Sequence, residues 1–164
     1  MAYWCAAQLQ ASRESLALHM LEEIEGFAVY APRLRQRRRG HGRWIEKLPL
    51  LFVSYVFVSI EAQWYRARWC PGVIRLIMDG LQPAKVPDSV ITELRRREHK
   101  GAIELPKAPG LQPGDKVRIV RGALQGHLGL YEGMRPHARV EVLLALLGSQ
   151  QRVMLARSDV IALG

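Results

Sequence analysis

The chain has 164 residues, 49% of them hydrophobic and 24% charged, with a net charge of +9. That is a globular composition for one ordinary domain or two small ones, and the basic excess points to a polyanionic neighbour. No apolar run reaches the ~18 residues needed to cross a bilayer, and Met1–Cys5 lacks the basic and apolar regions of a secretory signal. The only cysteines, Cys5 and Cys70, form no CxxC or CxxxH pattern, which argues against structural zinc or a disulfide framework and fits a reducing cytoplasm.

Residues 3–10 open with an aromatic, apolar stretch that predicts a strand. Ser12 is a candidate N-cap for a helix with Leu16, Met20, Leu21 and Ile24 at helical spacing, stopped by Gly26. Phe27–Tyr30 predicts a second strand running into a basic loop from Arg33 to Lys47. Leu50–Val58 is a nearly continuous apolar run rich in β-branched and aromatic residues, the pattern of a buried strand. A short helix is expected over 61–69, closed by Pro71-Gly72, then a strand over Val73–Ile77. Asp88 is placed to start a helix with Val90, Ile91 and Leu94 inward and Arg95, Arg96 and Arg97 outward. This order predicts an α+β fold, an antiparallel sheet flanked by helices.

From residue 100 the texture changes. Pro106, Pro109, Gly110 and Pro113 mark a linker. Beyond it, Val117 and Ile119 alternate with Lys116 and Arg118, and Val140 and Val142 with Arg139 and Glu141. Short alternating runs separated by glycines predict a small SH3-like β-barrel. The expected boundaries are a domain over 1–100, a linker over 101–111 and a second domain over 112–164.

The sequence from Gly114-Asp115 through Gly122 and Gly126 to Gly129 resembles a KOW motif: a turn, a strand, a glycine-dependent turn and a second strand. KOW modules occur in NusG-type elongation factors and in some ribosomal proteins. The first half separates these. Tyr3-Trp4, Val29–Arg33, Leu51–Val58 and Arg68–Val73 resemble, in order, the first, second and third strands and the last turn of the NusG amino-terminal (NGN) domain. Val53 and Ser54 stand where that family has proline and a small residue. Short length and a compact basic segment are more similar to the specialised, RfaH-type members.

The resemblance implies a transcription elongation and antitermination factor that bridges the RNA polymerase cleft and favours the closed clamp. It implies an apolar patch for the β′ clamp helices, mapped to Ala7, Phe52, Val53, Tyr55 and Leu76. Phe52 and Tyr55 are three apart in one run, so strict alternation predicts opposite faces, with core packing the competing role for either. Gln63, Trp64, Tyr65 and Arg66 occupy the position that touches the β gate loop in specialised members, although Trp64 serves equally well as a core residue. Arg13, Arg35, Arg37, Arg38, Arg39 and Arg43 are candidates for phosphates of DNA or RNA near the transcription bubble, the competing reading being a solvated basic loop. The KOW domain would recruit Rho or a small-subunit ribosomal protein. A monomer with no membrane partner, in the cytoplasm, is expected.

No catalytic, cofactor or metal site is expected. The five histidines are scattered, and no P-loop, dinucleotide fingerprint or nucleophile elbow is present. The alternative function is a ribosome-associated KOW protein that binds RNA. A nucleic-acid-processing enzyme ranks last, because the only close carboxylates are Glu22, Glu23 and Glu25 on one helix. The glycine spacing predicts a β-barrel for the second domain in the resting protein. Leu143–Leu147 also has good helix propensity, and specialised relatives hold this domain as a helical hairpin over the polymerase-binding patch.

Overall fold

The computed structural model describes residues 1–107, 117–119, 129–148 and 160–162. Its centre is a four-stranded antiparallel sheet in the order β2–β5–β1–β6, formed by β1 (Tyr3–Leu9), β2 (Val29–Tyr30), β5 (Tyr55–Ile60) and β6 (Val73–Leu76). β1 and β5 register Tyr3 opposite Ile60 and Gln8 opposite Tyr55. Alternation along these strands sends side chains to two apolar layers.

One layer holds Cys5, Ala7, Leu9, Val56, Val58, Ile60 and Leu76, covered by Ala17, Leu21, Ala67 and Cys70. The covering helices are α1 (Glu14–His19), flanked by a 3-10 turn over Ala11–Arg13 and a π turn over Met20–Ile24, and α2 (Trp64–Arg68). Gly26 follows with a positive φ of 75°, the helix stop expected there. Ser12 lies inside the 3-10 turn and does not cap it, and Leu16 and Ile24 face solvent. Gly72 is needed for close approach: its φ is +87°, and a Cβ there would lie 2.8 Å from the Ala17 Cβ.

The other layer holds Ala6, Tyr30, Phe52, Tyr55 and Phe57 under α3 (Asp88–Arg96), which buries Val90, Ile91 and Leu94 as its spacing predicts. Pro87 is the cap residue, and Asp88 begins the first turn. Short pairs β7 (Met78–Asp79) with β8 (Gln82–Pro83), and β9 (Glu98–His99) with β10 (Ala102–Ile103), complete this unit. Ala102–Ile103, at the head of the segment read as a linker, is tied in by the Ile103 N–H to the Arg33 carbonyl at 2.8 Å.

Three expectations need correction. The Leu50–Val58 run is not one strand: Leu51–Ser54 is a turn in which Ser54 has φ +67° and the Tyr55 N–H bonds the Phe52 carbonyl, and β5 starts only at Tyr55. The basic loop is a β-hairpin, β3 (Gln36–Gly40) against β4 (Arg43–Lys47). Its two-residue turn puts His41 at φ 51° and Gly42 at 74°, the left-handed pair that matches strand twist in tight hairpins.

The third correction concerns residues 136–147, expected as part of a barrel in the resting protein. They form a helix, α4 (Pro136–Leu147), with proline in its first turn and Gly148 at its end. Ala138, Arg139, Val142, Leu143 and Leu147 are buried, a helical stripe rather than an alternating one. With Leu130 and Met134 they complete the layer over Phe52 and Tyr55. The other described part of this half is β11 (Val117–Ile119) antiparallel to β12 (Val160–Ala162). Gly114, Asp115, Gly122 and Gly126 of the KOW pattern lie outside the described residues; Gly129 lies within them, just before buried Leu130.

Candidate interaction interface

The residues mapped to a single apolar patch fall on two sides of the sheet. Ala7 pairs with Leu76 across β1 and β6, and both are buried under α1 and α2. Phe52 and Tyr55 share the opposite layer, because the turn before β5 breaks the alternation that would have separated them. Phe52 is fully buried, edge-on to Phe57 with ring centroids 5.9 Å apart. Val53, at the outside of the turn, is 40% exposed.

α4 is the lid over this face. Its least expected member is Arg139, 1% exposed inside an otherwise apolar stripe. The guanidinium Nε donates to the Leu51 carbonyl and Nη1 to the Met134 carbonyl, each at 2.7 Å. Burial pulls its pKa below the ordinary arginine value, yet an arginine stays charged at any physiological pH. The charge is therefore held by backbone dipoles, which ties α4 to the turn that carries Phe52. Sequence reasoning missed Arg139; a lone basic residue at an inward helical position was the available signal.

On the other side, Gln63 and Tyr65 are exposed at α2 while Trp64 packs partly against the core. Arg66 pairs with Glu25 and donates to Gln63 Oε1 at 3.4 Å. Trp69, 74% exposed, carries the Arg68 guanidinium 4.3 Å from its ring centroid.

The candidate phosphate-binding arginines divide by environment. Arg35 is a clamp at the root of the hairpin: it bonds Glu46 at 2.8 Å and the carbonyls of His99 and Lys100 at 3.0 and 3.2 Å, with Glu104 at 3.5 Å. Arg37, Arg38, Arg39 and Arg43 stand exposed along β3 and β4, and Arg13 is exposed at the start of the first helical segment. Trp44, also missed by sequence reasoning, lies opposite Arg39 in this ribbon. Among the described residues no helix is long and apolar enough to cross a membrane, and no group of three or more His, Cys, Asp or Glu is placed to hold a metal ion.

The antiparallel sheet flanked by helices is consistent with an NGN-type α+β domain. Residues 2–95 match the family described as "Transcription termination factor nusG". The chain belongs to the NusG family, whose members are transcription elongation factors that bind RNA polymerase. It is also similar to the solved structure "Domain interaction in Thermotoga maritima NusG", at 22% identity and a TM-score of 0.40 over 73% of each chain.

Proposed function

We propose that the protein is an elongation and antitermination factor that binds the β′ clamp helices of RNA polymerase through the Phe52–Tyr55 face. The β3–β4 arginines lie along nucleic acid near the transcription bubble, and the α2 surface of Gln63, Tyr65 and Arg66 reaches the β gate loop. Bridging the cleft favours the closed clamp and so suppresses pausing. Residues 112–164, read as a KOW module, serve a second partner, Rho or a small-subunit ribosomal protein.

The observation that carries this reading is the seat of α4. The face assigned to polymerase is occupied by a helix from the other half of the chain, joined to it by apolar contacts and the Arg139–Leu51 hydrogen bond. Polymerase and α4 then compete for one surface, and apparent affinity is the intrinsic affinity scaled by the fraction of molecules with α4 released. Polymerase binding and pause-escape assays on the intact protein and on a Leu143→Asp variant, which unseats α4, test this. The variant is expected to bind more tightly and to shorten pauses; equal binding and equal pausing would remove the Phe52–Tyr55 face as the polymerase contact.

A further inference from the structure

The β3–β4 hairpin leaves the body of the protein as two strands with no buried residue. A ribbon that buries no apolar face adds little to the fold, yet this one carries Trp44, 67% exposed. Its register sorts the side chains. Arg39 lies opposite Trp44 and Arg37 opposite Glu46, so these four share one face. The Arg39 guanidinium carbon sits 5.6 Å from the Trp44 ring centroid, and Arg37, Trp44 and Glu46 line an open recess. Glu46 is already neutralised by Arg35. What the face offers is an indole with the Arg39 guanidinium over its ring and Arg37 lining the recess beside it.

We propose that this face binds an unpaired nucleotide strand, with one base stacked on Trp44 and the flanking phosphates held by Arg37 and Arg39. The proposal rests on the nucleic-acid part of the function proposed above and names the form of nucleic acid it takes. An apolar protein surface would leave the arginines without counter-charge, and a polyanion without bases would leave the indole unused. A single strand satisfies both. Each base has a π face, so stacking with cation–π support binds strands without reading their sequence, and a duplex keeps those faces hidden in its own stack.

The test is titration of the full-length protein with labelled strands of roughly 12 nucleotides, a span within the usual single-strand site sizes: thymidylate, uridylate, an abasic deoxyribose-phosphate strand, and a duplex. Trp44→Ala is expected to weaken thymidylate and uridylate binding about tenfold, leave the abasic strand unaffected, and be largely rescued by Trp44→Phe. Equal affinity of the parent for abasic and base-bearing strands, no loss in Trp44→Ala, or no binding of either strand by the parent would overturn it. Trp44 is outside the core, so circular dichroism of the variant should match the parent. Titration with core polymerase free of nucleic acid separates the two readings. In the Leu143→Asp background, which frees the proposed polymerase face, Trp44→Ala should leave binding unchanged, and a loss there would make Trp44 a protein contact and overturn the proposal. A Leu143→Asp protein that still ignores polymerase, beside a parent that binds strands through Trp44, would sink the proposed function and leave the stacking site standing.

Discussion

Arg139 and Leu51 are 88 residues apart in sequence and joined by a 2.7 Å hydrogen bond from guanidinium to backbone carbonyl. The bond links the helix of the second half to the turn that presents Phe52. Arg139→Ala removes the donor and leaves the carbonyls of Leu51 and Met134 in an apolar layer, a loss of about 1–3 kcal/mol. Hydrogen exchange should then quicken across residues 136–147 while α3 stays protected. Unchanged exchange would mean that apolar contacts alone hold α4 down.

Leu143 is fully buried on α4, one turn from Arg139, so an aspartate there places a charge in an apolar layer and competes with the Leu51 carbonyl for the Arg139 guanidinium. If α4 and polymerase share a face, Leu143→Asp raises polymerase affinity. Adding Tyr55→Ala, or Phe52→Asp in a variant verified as folded, should lower it again by about 2 kcal/mol or more. Binding that is indifferent to both aromatic changes would exclude the face.

The exposed arginines of the hairpin predict a salt effect. Replacing Arg37, Arg38 and Arg39 with serine should reduce the slope of log affinity against log salt by about 2–3 for nucleic acid or the elongation complex. Arg35→Ser acts differently, because Arg35 ties the hairpin to residues 99–100; it should disturb the position of the hairpin more than its charge. Identical slopes for the triple variant and the parent would show that those arginines neutralise no phosphate.

Glu93 supplies a pH-dependent element. Hydrogen bonds from Arg96 and Arg97 hold its carboxyl down to about 2, against a burial effect that raises it. A carboxylate depressed on folding contributes stability that is fully present above its unfolded pKa and is lost as pH falls through the folded value. The contribution of Glu93 should therefore be intact at pH 6 and fade between about 4.5 and 2. Denaturant unfolding of Glu93→Gln and the parent should converge toward pH 2; a constant difference across that range would show that the ion pairs do not respond as described.

Much of the first half was legible in the sequence, because its periodicities report single burial decisions. Val90, Ile91 and Leu94 recur at helical spacing since one face of α3 meets the sheet, and Val56 and Val58 lie in a strand because apolar residues there have layers on both sides. Gly26 was legible as a stop because a positive φ follows the last helical turn there, whereas α2 already ends at Trp69 and Gly72 serves the close turn beyond it. Two things were not legible. That Phe52 lies with Tyr55, and not with Ala7 and Leu76, depends on the turn at Ser54, which resets the alternation by local backbone geometry rather than by residue type. The state of residues 136–147 depends on something farther away. His137–Leu147 suits a strand by the alternation of Val140 and Val142 and a helix by its leucines and alanines, so local propensity leaves both open. The sequence alone determined that this segment is apolar and must be covered; the tertiary structure decided for the helix, because the layer around Phe52 and Tyr55 accepts Ala138, Val142 and Leu143 on one helical stripe and offers Arg139 the Leu51 carbonyl.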